Sequence, residues 1–399
     1  MPERSDSVTK QNEQGLSREY NDIRHLFWSP AEVAPVEVDA GKSRLDMLGI
    51  NRSLTRGDTG DTVIVYPPTI DWHFMKQRPQ QLMQQFALHG HQVYYCNKMQ
   101  SKDRKYTQVI PNLTVVHDNK AFIREAIPFL KRQGKRILVW SSWSKLHLFL
   151  DQYAPDILVY DYVDDFPAWV PYLEKMVHMA DVVCTTASSL KQHIERDFSG
   201  KPCYLIPNGC DLDHFQQYKH APPERPVEYQ DHDGPIITYI GAWAHWVDHN
   251  LVEQVAAAFP EALVSIIGVE YGAKVSQSVP NLKYLGYKFH EVLPRYLYYT
   301  DVCLIPFRLN QITLATNPVK MYEYLAAGKP VVTTDLPEAR NAPGVNIGKD
   351  RDSFVSCVGR ILSSLIAFDA DEVNRWLRLH TWENRYKRID EILEGIAPR

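Results

Sequence analysis

Two series of short, apolar, β-type runs constrain the fold of this chain more than any other feature of its sequence. The first series reads TVIVYP, QVYYC, RILVWSSW, DILVYDYV, ADVVCTTAS and CYLIPNG, with helical stretches between the runs. The second reads PIITYIGAW, ALVSIIGV, NLKYLGY, DVCLIPF and KPVVTT, again with helical stretches between them. Because strand and helix alternate, we expect an α/β fold with parallel sheets that carry helices on both faces.

A polar stretch rich in proline and aspartate separates the two series and predicts a linker at 218–234. The chain then divides into a Rossmann-like domain at 61–217, a second Rossmann-like domain at 235–375 and a closing helix at 376–399. Residues 1–60 are polar around one apolar island and are expected to form an extension. Doubly wound sheets bind ligands at the carboxyl ends of their strands, so the expected site is the central cleft between the two domains.

The composition excludes several classes of protein. A formal net charge of -4 gives no global attraction to nucleic acid. The six cysteines form no CxxC pair and lie beside no histidine at zinc spacing, which predicts reduced thiols, a cytoplasmic location and no metal site. The sequence contains neither a signal-peptide pattern nor ~20 uninterrupted apolar residues, so any membrane contact is expected to be peripheral.

The first loop, in VIVYPPTIDWHFMKQRPQQL, contains no glycine where a dinucleotide-binding fold would carry GxGxxG. A dehydrogenase or flavin enzyme is therefore disfavoured. The loop instead offers Asp71 and His73 as candidate catalytic groups and Trp72 and Arg78 as candidate acceptor contacts. The alternative is that Trp72 only plugs the cleft side of the sheet and that the charges are solvated.

Acidic residues follow another strand-like run, in LVYDYVDDFPAW. Asp164 and Asp165 at the end of a strand could act as a general base or hold sugar hydroxyls. Capping of the next helix is the alternative for either residue. In the second series, Gly241 ends a strand and would let a ligand approach the backbone, and Trp243 could line a wall of the site.

The segment NPVKMYEYLAAGKPVV predicts a helix with Asn317 as its N-cap, Pro318 as its first residue and Gly328 at its end. The apolar stripe of this helix faces a core, which leaves Lys320 and Glu323 on the opposite face. The helix N-terminus and the lysine favour a phosphate, and the glutamate can accept hydrogen bonds from the hydroxyls of a ribose. An ordinary surface ion pair is the alternative.

These segments, together with PNGCDLDHF, LIPFRLN and YDYVDD, resemble the GT-B glycosyltransferases. Within that fold family the chain is most similar to the bacterial teichuronic-acid and polysaccharide glycosyltransferases, over roughly residues 62 to 395. The resemblance implies that the second domain binds a nucleotide-diphosphate sugar, with Glu323 on the ribose and Lys320 and Asn317 at the diphosphate. It also implies that Arg308 supplements the diphosphate contact and that the segment around Lys288 lies near the base.

The sequence departs from the Glu-x7-Glu motif of many retaining members, because Ala315 stands at its first position and only Glu323 is in place. Retention or inversion at the anomeric carbon therefore stays open at this point. In an inverting reaction Asp164 or Asp165 would deprotonate the acceptor, with Asp71 and His73 as further candidates. In a retaining reaction the departing phosphate would take that role.

The resemblance thus implies a cytoplasmic, metal-independent transferase without a resident cofactor, acting in bacterial glycan or glycoconjugate biosynthesis. Its acceptor would be a glycan, a lipid-linked saccharide or a small molecule. The segment AFIREAIPFLKRQGKR combines apolar and basic residues and suggests contact with the inner face of a membrane, whereas an internal surface helix is the alternative. Two other functions stay open: a sugar-nucleotide epimerase of the GT-B fold, and a non-catalytic nucleotide-sugar-binding partner of another transferase.

Overall fold

A computed structural model describes residues 61–101 and 104–396, so the predicted extension at 1–60 lies outside the described residues. The first sheet contains eight strands: β1 (Thr62–Tyr66), β2 (Gln92–Cys96), β3 (Tyr106–Ile110), β4 (Leu113–Val116), β5 (Arg136–Ser141), β6 (Ile157–Tyr162), β7 (Val182–Thr185) and β8 (Cys203–Leu205). Their order is β3-β4-β2-β1-β5-β6-β7-β8. Every neighbouring pair is parallel except β3 and β4.

The antiparallel pair at the edge of this sheet departs from the wholly parallel sheet that the sequence predicts. Asn112, between β3 and β4, has φ of 66° and so reverses the chain in a tight turn. The two strands form a hairpin because this connection is too short for a parallel crossover.

Five helices accompany the first sheet: α1 (Arg78–Leu88), α2 (Asn119–Ala121), α3 (Ile127–Arg132), α4 (Val170–Met179) and α5 (Ser188–Asp197). A π-helical turn, Phe122–Ala126, joins α2 to α3. This continuous segment is the one whose apolar and basic residues suggested membrane contact. Its apolar residues Phe122, Ile127 and Leu130 are buried in the core of the first domain, which matches the surface-helix alternative.

The second sheet contains six strands, all parallel to their neighbours, in the order β11-β10-β9-β12-β13-β14. They are β9 (Ile236–Ile240), β10 (Leu263–Ile267), β11 (Leu282–Tyr284), β12 (Val302–Ile305), β13 (Val331–Thr334) and β14 (Val345–Gly348). The remaining helices are α6 (Leu212–Gln216), α7 (His249–Ala258), α8 (Leu293–Tyr298), α9 (Gln311–Leu314), α10 (Val319–Ala326), α11 (Arg351–Leu362), α12 (Ala370–Arg378) and α13 (Trp382–Glu394). Each strand of both predicted series is present, so the α/β fold with two doubly wound domains is confirmed.

The last helix, α13, packs against the first domain rather than the second. Trp382, Tyr386 and Ile389 are buried in the same cluster as Phe86 of α1. The Tyr386 hydroxyl lies 3.0 Å from Nε2 of His91, the residue immediately before β2. The chain therefore crosses between the domains twice. Across the described ranges, no helix is both long and apolar enough to cross a membrane.

Helix α10 begins one residue later than the sequence predicts. Pro318 occupies the cap position in an extended conformation, and Val319 is the first helical residue. Asn317 does not cap the helix, because its side-chain oxygen accepts a hydrogen bond of 2.9 Å from the Asn208 N–H. The predicted end is correct: Gly328 has φ of 74°, a left-handed conformation that glycine adopts without strain.

Candidate functional site

A cavity of about 460 Å³ lies between the two domains, at the carboxyl ends of the central strands of both sheets. Polar groups of the first domain and of the connection to the second line one side: Tyr66, Lys76, Arg78, Ser142, Asp164 and Asn208. The second domain contributes Gly241, Gly268, Lys288, His290, Thr316, Asn317 and Lys320. The structure thus brings six of the thirteen predicted site residues to one cavity: Asp164, Arg78, Gly241, Lys288, Asn317 and Lys320.

Asp164 is the acidic residue of the first domain that lines the cavity. Burial raises the pKa of this carboxyl to about 7, and the charges of Asp161 and Asp165 act in the same direction. Its Oδ1 lies 3.5 Å from the Thr316 hydroxyl of the second domain, the one hydrogen-bond contact of the carboxylate among the described residues. A carboxyl with a pKa near neutrality can accept a proton at the pH of the cell.

Asp165, the other leading catalytic candidate, points elsewhere. It is 9% exposed, and its oxygens accept hydrogen bonds from the Tyr162 hydroxyl at 2.8 Å and from Nε2 of Gln311 at 2.7 Å. Since Gln311 belongs to the second domain, this carboxylate joins the two domains. Both of its oxygens already have donors, so the residue is less available to a substrate than Asp164.

Arg78, a predicted acceptor contact, is only 3% exposed and forms a bidentate pair with Asp161, with distances of 2.8 and 2.7 Å. A further guanidinium nitrogen donates to the carbonyl of Ile206 at 2.9 Å. This arginine therefore holds the end of β6 to the connection between the domains, and its charge is already compensated.

The other residues predicted in the first loop do not line the cavity. Asp71 accepts a hydrogen bond of 2.8 Å from the Met99 N–H, and His73 is exposed. The Trp72 ring packs edge-on against Tyr95, with centroids 5.1 Å apart. For Trp72, the structure matches the alternative in which the ring packs on the sheet.

In the second domain, Lys320 and Glu323 of α10 form an ion pair in which the carboxylate is only 2% exposed. Glu323 does not form the ordinary surface pair that was the alternative, because the segment that carries His290 covers this face of the helix. Burial alone would raise the pKa of Glu323, but attraction by Lys320 and His290 outweighs it and lowers the pKa to about 2. The glutamate is thus ionised at any physiological pH.

His290 was not singled out from the sequence, although it belongs to the KYLGYKFH segment expected near the base. Its Nε2 lies 3.6 Å from Oε1 of Glu323, and neither atom has a hydrogen-bond partner among the described residues. A buried polar atom without a partner is costly. His290 lines the cavity and Glu323 lies directly behind it, so one hydroxyl that reached both atoms would donate to the carboxylate and accept from the imidazole.

Gly241 and Gly268 form the part of the wall at the ends of β9 and β10. A Cβ atom on Gly268 would lie 1.9 Å from the carbonyl oxygen of Gly241, so only glycine allows this close approach. Lys288 also lines the cavity, with its ammonium 2.6 Å from Glu228. Trp243 is 1% exposed and stacks on His249 outside the cavity wall, and the exposed Arg308 does not line the cavity either.

Further contacts join the two domains around the cavity, in addition to those of Asp164 and Asp165. The side chain of Asn208 donates to the carbonyl of Asn317 at 2.6 Å, in addition to the hydrogen bond that the Asn208 N–H donates to the Asn317 side chain. On the opposite side, the Met75 N–H donates to the Tyr287 hydroxyl at 3.0 Å, and the Phe74 ring stacks on Tyr287. Sequence reasoning missed Tyr287, since a contact across 212 positions leaves no local pattern.

Within residues 61–101 and 104–396, no group of three or more histidine, cysteine, aspartate or glutamate side chains is arranged to hold a metal ion. The polar groups that line the cavity include one carboxyl on the first domain, a histidine on the second and lysines on both, and a buried glutamate lies next to the histidine. Such an arrangement can bind an anion and a hydroxyl-bearing group side by side.

The chain is similar to known glycosyltransferases. Residues 234–364 match the family described as Glycosyl transferases group 1. TuaH of Bacillus subtilis (strain 168), which is named as a teichuronic acid biosynthesis glycosyltransferase, is 23% identical over 227 residues. That alignment covers 51% of this chain and 57% of TuaH, so the match spans little more than half of the relative.

Solved structures with the GT-B fold superpose on most of the chain. Sucrose-phosphate synthase from Thermosynechococcus elongatus has a TM-score of 0.65 at 14% identity, covering 84% of this chain and 98% of the other. HepE of Anabaena, in complex with UDP and glucose, has a TM-score of 0.60 at 11% identity, covering 84% and 100%. The GT-B fold expected from the sequence is therefore confirmed.

Proposed function

We propose that this chain, which contains a glycosyl transferases group 1 domain and has the GT-B fold, is a glycosyltransferase. It would move a sugar from a nucleotide-diphosphate donor to a hydroxyl of an acceptor in the cavity between the domains. The observation that carries this proposal is the placement of Asp164, with its pKa of about 7, across one cavity from Lys320 and the N-terminus of α10. A proton acceptor thus faces an anion-binding group.

The second domain would bind the donor. The helix N-terminus and Lys320 suit the diphosphate, and the unpartnered atoms of Glu323 and His290 suit the hydroxyls of the ribose. Gly241 and Gly268 present backbone without side chains at the cavity wall, against which the nucleotide would lie. As the bond between the sugar and the phosphate breaks, negative charge develops on the diphosphate, and the lysines at the cavity would stabilise it without a metal ion.

The first domain would bind the acceptor, with Asp164 accepting a hydrogen bond from the reacting hydroxyl. A product of inverted configuration would assign the proton transfer to Asp164. A product of retained configuration would assign it to the departing phosphate and leave Asp164 as a group that orients the acceptor. A glycan, a lipid-linked saccharide or a small molecule would each present a suitable hydroxyl, and bacterial polysaccharide biosynthesis in the cytoplasm is the proposed setting.

The proposal is tested by thermal shift with UDP, GDP and dTDP, followed by incubation with the sugar derivatives of whichever nucleotide binds. NMR of the anomeric signal then reports both transfer and stereochemistry. We expect stabilisation by at least one nucleoside diphosphate and acceptor-dependent release of it. No stabilisation by any of the three would contradict the donor site. Conversion of the donor sugar without any acceptor would instead favour the epimerase alternative.

A further inference from the structure

Four side chains that line the cavity carry a full positive charge, and one of them differs from the rest. Arg78 pairs with Asp161 at 2.7 Å, Lys288 with Glu228 at 2.6 Å, and Lys320 with Glu323 at 2.5 Å. Lys76 is the exception, because no carboxylate among the described residues lies within ion-pair distance of it. Its ammonium donates instead to the neutral amide oxygen of Gln84, at 2.9 Å.

The position of Lys76 is fixed by a contact between the domains. It follows Met75, whose N–H bonds to the Tyr287 hydroxyl, and Phe74, whose ring stacks on the Tyr287 ring at 5.8 Å. Tyr287 in turn precedes Lys288. The loop of the first domain is therefore held against the segment of the second domain that carries Lys288 and His290. The side chains of Lys76, Lys288 and His290 all line the same cavity.

The surroundings of Lys76 disfavour its own charge in the absence of a ligand. Burial lowers the pKa of its ammonium, and the attraction of Asp211, Glu291 and Glu323 only partly opposes this. A partly desolvated cation without a charged partner is costly. An anion that entered the cavity would remove this cost, and the three other cations that line the cavity already have carboxylate partners.

We propose that Lys76 binds the diphosphate of the donor from the first domain, opposite Lys320 and the N-terminus of α10, so that one diphosphate contacts both domains. This inference rests on the proposed function and adds a residue to it. During transfer, the bond between the anomeric carbon and the phosphate oxygen breaks and its electron pair stays on the diphosphate, while the acceptor oxygen bonds to the anomeric carbon and its proton passes to Asp164 or to the departing phosphate. Lys76 gives up no proton in this step; its charge stabilises the departing diphosphate.

The test is calorimetric titration of the full chain with UDP, GDP, dTDP, inorganic pyrophosphate and uridine, for the wild type and three variants. Lys76→Gln removes the charge and keeps a polar side chain, and Lys76→Arg keeps the charge. Lys175→Gln, at an exposed position of α4, is the matched control. We expect Lys76→Gln to weaken binding of the preferred nucleoside diphosphate about tenfold to a hundredfold, and Lys76→Arg and Lys175→Gln about threefold or less.

Uridine has no phosphate, so its binding distinguishes the loss of a phosphate contact from a structural change in the cavity. If uridine binds the wild type, it should bind Lys76→Gln with the same affinity. Unchanged affinity of Lys76→Gln for the preferred diphosphate would overturn the role of Lys76 and leave the proposed function intact. Equal loss of nucleoside and diphosphate binding would also overturn it, because it would indicate a distorted cavity. A wild type that binds neither nucleotide nor pyrophosphate would contradict the proposed function itself.

Discussion

The two domains repeat one architecture, but the buried carboxyl that each holds at or near the cavity has opposite electrostatic surroundings. In the first domain, the chain beyond β6 carries Asp164, a carboxyl that burial keeps half-protonated near pH 7. In the second, α10 carries Glu323, a more deeply buried carboxyl that neighbouring cations keep ionised with a pKa of about 2. The difference shows that the charged partners of a carboxyl, and not burial alone, decide whether it can exchange protons or only accept hydrogen bonds.

The most severe test of this contrast replaces Asp164 with asparagine, which keeps the shape and removes the proton acceptor. We expect the turnover rate to fall about 10²- to 10⁴-fold while affinity for the nucleoside diphosphate changes less than about threefold. Asp165→Asn is the matched control, because its carboxylate bonds to Tyr162 and Gln311 instead of facing the cavity. A larger loss of turnover in Asp165→Asn than in Asp164→Asn would reverse the assignment.

Replacement of Lys320 by methionine tests the other side of the comparison. The variant leaves the buried carboxylate of Glu323 with His290 alone, so the free energy of unfolding should fall by about 3 kcal/mol. Affinity for the nucleoside diphosphate should fall at least about tenfold, because a phosphate contact is lost as well. Urea denaturation and calorimetric titration measure the two effects separately.

The double variant Lys320→Met with Glu323→Gln should recover much of the stability of Lys320→Met without recovering nucleotide affinity. Lys387→Met, which breaks the exposed pair of Lys387 and Glu383 on α13, should change neither quantity measurably. If Lys320→Met were as stable as the wild type, Glu323 would not depend on this lysine and the contrast between the two carboxyls would fail.

The pH dependence of turnover follows from the same contrast. Asp164 has its pKa raised to about 7, so it is protonated below that pH and becomes a proton or hydrogen-bond acceptor above it. Turnover at saturating substrate should therefore rise about tenfold between pH 6 and pH 8. Glu323 should not contribute to the change of turnover with pH, since its pKa of about 2 lies far below this range. The residual turnover of Asp164→Asn should be nearly flat over the same range, and a similar rise in this variant would assign the titration to another group.

The sequence predicted the strands of both sheets well because their runs are short, apolar and bounded by turns. It did not predict β3 or its pairing with β4. The residues of β3 are only partly buried at the edge of the sheet, so the strand gives a weak hydrophobic pattern. The choice among Asp161, Asp164 and Asp165 could not be predicted either, because it depends on where each side chain points. Asp161 pairs with an arginine 83 positions away, and this contact has no local signature.

The smallest expected effect concerns the hydrogen bond between Met75 and Tyr287, which joins the two domains beside the cavity. Tyr287→Phe keeps the ring stacked on Phe74 and removes only the hydroxyl that accepts a hydrogen bond from the Met75 N–H. One neutral hydrogen bond contributes about 0.5 to 1.5 kcal/mol, so the melting temperature should fall by a few degrees at most. Because Lys76 follows Met75, the looser loop should weaken binding of the nucleoside diphosphate about threefold and leave nucleoside binding unchanged.

The same titration with Lys76→Gln as the background should show no further loss from Tyr287→Phe, since the contact acts on the diphosphate only through that lysine. An additive loss in the double variant would show that the tyrosine acts on the cavity by another route.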